Sequence, residues 1–129
     1  VITNGIKTLT ALSENNISCI GTGGEVINSC LAFVGEEAHR TIERYNASFC
    51  FFACRGISED GRLTDISQPE NSVRAKMLEH SKQAYMLCTS DKMNKLYYHN
   101  LCSADDISGI IKAEAADSCA PQNPQHYIR

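Results

Sequence analysis

Residues 49–92 read FCFFACRGISEDGRLTDISQPENSVRAKMLEHSKQAYMLCTSDK, and this stretch decides the fold. Its beginning belongs to an almost unbroken apolar run over residues 47–54, which is typical of a strand covered on both faces. We therefore expect this run to be the central strand of a sheet. A helix over residues 70–82 and a short strand over residues 84–88 follow, and Lys92 stands just beyond that strand.

Apolar residues at helical spacing predict further helices on either side of this core. One helix follows Asn4-Gly5 and ends at Asn15-Asn16, and another starts near Gly35. The residues expected to face inward from the three helices are Ile6, Leu9, Leu12, Ala38, Ile42, Tyr45, Val73 and Met77.

Short apolar runs of strand type alternate with these helices. Residues 1–3, 17–22 and 109–111 are predicted strands, residues 25–33 are ambiguous, and residues 55–69 are interpreted as a polar loop. Alternation of strand and helix is the rhythm of an α/β domain with a mostly parallel sheet. The predicted fold class is therefore α/β, in three layers.

Length and composition limit the kind of protein this is. The chain has 129 residues, 43% of them hydrophobic, which suits one domain; we assign residues 1–114 to it and residues 115–129 to a flexible C-terminal tail. Twelve basic and fifteen acidic residues give a net charge of −3, so no basic patch suggests that the chain itself binds DNA. No apolar stretch reaches the length of a membrane span, and no secretion signal is visible.

The seven cysteines are an odd number and several lie in apolar runs, which indicates a reduced, cytoplasmic protein. No C-x-x-C pair occurs and the four histidines are scattered, so we expect no metal and no cofactor. No G-x-S-x-G motif is present, and no signature marks any cysteine as a nucleophile. The sequence therefore offers little support for catalysis.

Ligands of open α/β sheets collect at the carboxyl ends of the parallel strands. The residues predicted at those ends supply flexible backbone, hydroxyls, amides and cations, a set that suits a phosphorylated polyol. The candidate effector-binding residues are Asn4, Gly23, Gly24, Arg55, Gly56, Glu70 and Lys92.

Several of these candidates have a simpler interpretation. The paired glycines are compatible with a plain turn, and Glu70 with a helix first-turn acid. Lys92 is compatible with a solvated surface residue. Arg55 directly follows an apolar strand, so its charge needs water or a partner, for which Asp60 and Asp65 are the alternatives to an effector phosphate.

The order of several motifs resembles the sugar-phosphate sensor domain of DeoR-family bacterial transcription repressors. The matching segments, which together span roughly Val1 to Ile111, are Val1-Ile2-Thr3-Asn4, Gly23-Gly24, Leu31-Ala32-Phe33-Val34-Gly35, Cys54-Arg55-Gly56-Ile57, Gly61-Arg62-Leu63-Thr64-Asp65, Glu70 with Val73-Arg74 and Met77, Ser90-Asp91-Lys92 with Lys95, and Leu101-Cys102 before Asp105-Asp106. The resemblance implies a fold like that of ribose-5-phosphate isomerase and the CoA-transferases. It also implies a phosphorylated sugar as effector, a homo-oligomer, and DNA binding through a separate N-terminal helix-turn-helix module.

The chain departs from the family pattern at three places. Related domains carry a strand and an Asp-x-Gly-[Ser/Thr]-[Ser/Thr] loop before the segment that starts at Val1, and that loop is the expected main phosphate site. Thr89 stands where many members have Asp, and Met93-Asn94 stands where Phe-Gly often occurs. We therefore expect a chain truncated at its N-terminus, with the identity of the polyol left open.

Two other functions compete with the sensor. Sugar-phosphate isomerases of similar fold place two carboxylates in the loop after the central strand, because they move a proton between carbons. Arg55 and Ser58 stand roughly where those acids are needed, so we favour binding without chemistry. The remaining alternative is an α/β interaction domain without a small ligand.

Overall fold

The computed structural model describes residues 1–114, which form three α-helices and ten strands. In chain order the elements are β1 (Ile2–Thr3), α1 (Ile6–Glu14), β2 (Ile20–Gly21), β3 (Glu25–Ile27), β4 (Ala32–Val34), α2 (Glu36–Glu43), β5 (Ala47–Phe52), β6 (Gly56–Ile57), β7 (Arg62–Asp65), α3 (Gln68–Glu79), β8 (Ser81–Thr89), β9 (His99–Ser103) and β10 (Gly109–Ala113). The α/β class is confirmed. The predicted tail over residues 115–129 lies outside the described residues.

The largest sheet is parallel and has the strand order β10-β8-β5. Its centre is β8, so the prediction that the 47–54 run is the central strand is wrong for the described residues: β5 lies at an edge. Cys50 and Phe52 point into the core, whereas Phe49 and Phe51 are 55% and 59% exposed. An apolar run shows that both faces of a strand are apolar, but it does not show what covers them.

The N-terminal part is a separate parallel pair, β1 with β2, beside α1. The helix begins at Ile6 and ends at Asn15, with Asn16 in a left-handed conformation at φ 55°, as the sequence predicts. The strand predicted over residues 17–22 is shorter, because only Ile20–Gly21 pair with β1.

The ambiguous segment is an antiparallel hairpin of β3 and β4, and it leads directly into α2. Ala38 and Ile42 of α2 are buried as predicted, and they pack with Val73 of α3. Tyr45 lies beyond the end of α2 and is 39% exposed, so its assignment to the buried face is wrong.

The predicted polar loop contains β6 and β7. These two strands form an antiparallel sheet with β9, in the order β6-β7-β9. Leu63 and Thr64 of β7 are fully buried. The loop prediction is therefore wrong for this segment. Its strands are too short for a clear alternation, and a register shift between Leu63 and Thr64 breaks the pattern further.

Helix α3 begins two residues earlier and ends three residues earlier than predicted. Ser67 caps it by accepting a hydrogen bond from the Glu70 amide at 3.4 Å, and Pro69 lies in the first turn, where proline is tolerated. Val73 is fully buried and Met77 packs against the core, as predicted.

Candidate functional site

Two loops meet at the carboxyl edge of the parallel sheet. Strands β5 and β8 are parallel neighbours with Phe52 opposite Met86, so the segments that follow them leave the same edge. Those segments then pack together: Ile57 forms a parallel bridge with Met93, and its carbonyl accepts the Lys95 amide at 3.0 Å. We call residues 53–57 the Arg55 loop and residues 90–95 the Lys92 loop. The fold brings these two loops side by side, as the sequence predicts.

Gly56 permits this close approach. A Cβ atom at Gly56 would lie 2.7 Å from the Lys95 carbonyl oxygen and 2.8 Å from the Tyr97 ring. Such distances do not occur for real side chains, so a glycine is required here by packing. This packing accounts for Gly56 without a ligand.

The paired glycines have different roles. Gly24 has φ +118°, and a Cβ there would lie 2.5 Å from the Val34 carbonyl oxygen, so it is packed against the start of α2. Gly23 has φ +67° and open space around it. Of the two, Gly23 is the one with room for a ligand beside its backbone.

A cleft of about 800 Å³ separates β1 from β5. Its walls include the outer edges of these two strands, on which neither has a partner strand among residues 1–114. The lining is largely apolar, with Phe49, Phe51 and Met77, and the polar groups include Thr3, Asn4, Thr8, Glu70, Arg74 and His80.

Two of the predicted site residues line this cleft. Asn4 follows β1, and its Nδ2 donates a hydrogen bond to the Phe33 carbonyl at 3.1 Å, which ties β1 to the hairpin. Glu70 reaches the cleft from the first turn of α3, where its carboxylate pairs with Arg74 at 3.3 Å. The cleft therefore holds one amide and one carboxylate of the predicted set.

Neither Arg55 nor Lys92 is among the described residues that line the cleft. The Arg55 guanidinium is 54% exposed, and its Nε lies 3.9 Å from Asp65 Oδ1, so of the two partners considered for it Asp65 is the correct one. Asp60 pairs with Arg62 instead. Lys92 lies in a 3-10 turn over Ser90–Lys92 and makes no salt bridge within residues 1–114. Arg55 and Lys92 lie beyond the carboxyl ends of β5 and β8, where Arg55 is exposed and Lys92 is partly buried.

An ion-pair network that the sequence analysis missed links the Arg55 loop to the cleft. Asp65 is 4% exposed and accepts the Arg55 amide at 3.0 Å and Arg74 Nη1 at 3.0 Å. Arg74 also donates to Asn71 at 2.9 Å. The four-residue spacing of Glu70 and Arg74 on a helix is a signal for their pairing. The partnership with Asp65 spans two elements, and no local pattern indicates it.

Buried thiols lie beneath the two loops. Burial raises the pKa of Cys54 and of Cys88, with Lys92 opposing the shift in both cases, and burial raises the pKa of Cys102 to about 11. A thiol with a raised pKa holds its proton at neutral pH and is a poor nucleophile. These cysteines therefore behave as core residues. Within residues 1–114 no three His, Cys, Asp or Glu side chains are grouped to hold a metal ion, and no helix is long and apolar enough to cross a membrane.

The sequence matches the family described as DeoR C terminal sensor domain over residues 1–114. The chain therefore belongs to that family, as the motifs around Cys54-Arg55-Gly56 and Lys92 predict.

Its relatives include transcriptional regulators of sugar operons. The chain is 30% identical to the uncharacterised HTH-type transcriptional regulator YulB of Bacillus subtilis, over 91% of this chain and 46% of the relative. It is 30% identical to the L-fucose operon activator of Haemophilus influenzae, over 98% of this chain and 50% of the relative. It is 24% identical to the putative aga operon transcriptional repressor of Escherichia coli O157:H7, over 91% of this chain and 45% of the relative. The chain thus spans about half the length of the curated relatives it matches.

Proposed function

We propose that this chain is the effector-binding part of a cytoplasmic transcriptional regulator, that it binds a phosphorylated sugar, and that it controls DNA binding by an N-terminal helix-turn-helix module in the longer protein. The observation that carries the proposal is the cleft between β1 and β5 in a member of a sensor family. Its volume of about 800 Å³ lies within the range of about 300–1,000 Å³ that is usual for small-molecule sites. Asn4, Glu70 and Arg74 give it the few polar groups that orient a ligand in a largely apolar pocket.

The phosphate group is assigned to the mouth of this cleft. The guanidinium of Arg74 lies on the cleft wall, and the carboxylates of Asp65 and Glu70 already neutralise its charge. Arg55 and Lys92 stand at the adjacent sheet edge, and charge-assisted hydrogen bonds from such cations suit a phosphate dianion. Gly23 adds a backbone amide beside open space. We keep Asn4, Gly23, Gly24, Arg55, Gly56, Glu70 and Lys92 as the proposed site, in which Gly24 and Gly56 hold their loops in place by packing rather than by contact with the ligand.

The outer edges of β1 and β5 both face the cleft, and exposed strand edges are usually paired or covered. In the longer protein, a strand from another segment would pair with these two edges and join the two parallel sheets into one, as in the ribose-5-phosphate isomerase and CoA-transferase type of fold. Such a strand would fill the part of the cleft between the edges and leave the part beside Asn4, Glu70 and Arg74 for the effector. The loop after this strand would then complete the phosphate site at the mouth.

Regulation in this proposal is a change in subunit arrangement. One relative is named as an operon activator and another as a putative operon repressor, so we leave open whether the effector releases or recruits DNA here. A ligand shifts a conformational equilibrium only by its difference in affinity for the two states. We propose that the longer protein is a homo-oligomer whose DNA-binding modules change their spacing when the cleft is filled.

The proposal is tested by thermal-shift measurements on the full-length protein. The panel is ribose 5-phosphate, fructose 1-phosphate, fructose 6-phosphate, glucose 6-phosphate, tagatose 6-phosphate and glycerol 3-phosphate. A sensor responds to one or two compounds with a melting temperature that rises with ligand concentration, because the ligand binds only the folded state. An interaction domain without a small ligand responds to none, and an isomerase converts its ligand to a product detectable by chromatography.

Two variants locate the phosphate. Arg55→Ala and Lys92→Ala are expected to weaken binding of the responding compound by about tenfold each, as expected for the loss of one charged hydrogen bond. The matched controls Arg44→Ala and Lys82→Ala remove exposed cations near the amino ends of β5 and β8, opposite the carboxyl edge, and are expected to change nothing. Equal binding by all four variants would exclude this edge as the phosphate site.

A further inference from the structure

Asp65 is the fixed centre of the network beside the cleft. It is 4% exposed, and its carboxylate accepts four hydrogen bonds. Oδ1 accepts from the amides of Ile66 and Ser67 at 2.8 and 3.1 Å, and Oδ2 accepts from the Arg55 amide and from Arg74 Nη1, both at 3.0 Å. Four donors saturate a carboxylate, so Asp65 has no capacity for a ligand. Its contacts instead set the position of other groups.

Arg74 connects this centre to the cleft. Its side chain is 16% exposed, its Nη1 bonds Asp65 and Asn71, and its Nη2 bonds Glu70 Oε1 at 3.3 Å. A guanidinium has five N–H donors, so two of them have no partner within residues 1–114. Arg74 and Glu70 both line the cleft.

The charges of this network favour hydroxyls over phosphate at the cleft wall. Asp65 and Glu70 share the single guanidinium of Arg74, which leaves one negative charge. Arg55, whose Nε lies 3.9 Å from Asp65 Oδ1, adds one positive charge. The net charge of the four side chains is then zero. A phosphate dianion gains nothing from such a wall. A neutral hydroxyl finds a carboxylate oxygen to donate to and guanidinium donors to accept from.

We propose that Asp65 and Arg74 are a positioning pair that orients the Glu70 carboxylate toward the hydroxyls of the effector and fixes the Arg55 loop at the same time. The effector then lies with its polyol chain inward, against Glu70 and Arg74, and its phosphate outward, toward Arg55 and Lys92. The pair gives the site its selectivity for a hydroxylated chain. This inference rests on the proposed function, because it assigns roles within the same site.

The arrangement gives Arg74 a role that lysine cannot fill. One guanidinium reaches Asp65, Asn71 and Glu70 at once because its donors form a planar fork, whereas an ammonium is a point charge on a flexible stem. Arg74→Lys therefore keeps the charge and releases Glu70. If Arg74 acts through Glu70, the two substitutions are not additive.

The experiment measures binding to the full-length protein by calorimetry, with the panel compound of largest thermal shift and with inorganic phosphate. Arg74→Lys is expected to lower the affinity for the sugar phosphate by about tenfold while the affinity for inorganic phosphate stays within about twofold. Adding Arg74→Lys to Glu70→Gln is expected to cost no more than about twofold further. The matched control is Arg62→Lys, in the exposed pair with Asp60 on β7.

The outcomes separate the inference from the proposed function. Equal losses for sugar phosphate and inorganic phosphate, additive losses in the double variant, or an unchanged Arg74→Lys protein would each overturn the positioning role alone. A wild-type protein that binds no member of the panel overturns the proposed function and this inference with it.

A measurement on the unaltered protein covers the case in which Arg74→Lys does not fold. In the nitrogen NMR spectrum, the Nε–H signal of Arg74 is expected to move when the responding compound is added. The Nε–H signal of Arg62 is expected to stay in place. An Arg74 signal that stays in place with the compound bound contradicts the proposal.

Discussion

A Cβ atom on Gly24 would lie 2.5 Å from the backbone carbonyl oxygen of Val34, so these two residues can be neighbours only if residue 24 is a glycine. The contact fixes the turn between β2 and β3 against the start of α2. One glycine of the candidate effector-binding pair thus has a packing function, and this makes a direct stability prediction.

Gly24→Ala is expected to lower the free energy of unfolding by about 3 kcal/mol, because it adds an overpacked contact to an unfavourable φ of +118°. Gly23→Ala, at φ +67° with open space around it, is expected to cost about 1 kcal/mol from the backbone conformation alone. Urea denaturation of both variants measures the difference. Equal losses would mean that the Val34 contact has no energetic role.

Asp65→Ala is expected to destabilise the protein by about 3 kcal/mol, because it leaves the largely buried Arg74 without its main partner and three loop amides without their acceptor. Asp60→Ala is the control, since its pair with Arg62 is exposed and such pairs contribute little. Chemical denaturation of the two variants gives the comparison. A stable Asp65→Ala protein would show that water replaces the carboxylate.

Phe51 and Phe52 lie on opposite faces of β5, so substitutions at these two positions are expected to differ in their cost to stability. Phe52 is 5% exposed, so Phe52→Ala is expected to cost about 3–5 kcal/mol. Phe51 is 59% exposed and, among the aromatic residues of 1–114, stacks on Phe49 and Tyr85, so Phe51→Ala is expected to cost less than about 1 kcal/mol. Denaturation curves of residues 1–129 test both. A large cost at Phe51 would indicate that its face is covered in solution.

Stability is expected to fall above pH 9 through Cys102. Burial raises the pKa of this thiol from 9.0 to about 11, so between these values the unfolded chain loses the proton and the folded protein keeps it. The unfolded state then binds fewer protons, and the free energy of unfolding falls with pH by at most about 1.4 kcal/mol per unit. Because Cys102 is only partly buried, solvent screening makes the observed slope smaller.

Comparison with Cys102→Ala isolates this contribution. The stability difference between the two proteins is expected to be constant from pH 7 to 8.5 and to narrow by pH 10.5, since all other groups titrate in both chains. Thermal denaturation across this range measures it. A difference that stays constant to pH 10.5 contradicts the raised pKa.

Helical periodicity predicts much of the fold, because α2 and α3 bury residues of the apolar faces that it indicates. Ala38 and Ile42 locate α2 correctly, and Val73 and Met77 locate α3. The order of strands in a sheet does not follow from the pattern of one segment. The apolar run at Phe49 looks central since its residues are apolar on both faces, yet its position at a sheet edge depends on distant partners.

Only part of the candidate site can be predicted from the sequence, because some of its contacts join residues that are distant in the chain. The ends of β5 and β8 are visible as polar residues after apolar runs, and the fold does bring their loops together. Asp65 is one of two partners that the sequence offers for Arg55, but its pairing with Arg74 is not visible, because Arg74 comes from another element and meets Asp65 only in three dimensions.

The cleft between β1 and β5 also has a consequence for how the molecule comes apart. The β1–α1–β2 segment is joined to the rest mainly through the hairpin, where Asn4 bonds Phe33 and the Ile6 amide bonds the Leu31 carbonyl at 2.9 Å. No residue of α1 is fully buried, whereas β8 carries Met86 at 0% exposure. Segments with few buried contacts open at a lower free energy than the core. In residues 1–114 taken alone, the β1–α1–β2 segment is therefore expected to open before the core around β8 does, which amide hydrogen exchange would detect as weaker protection of α1.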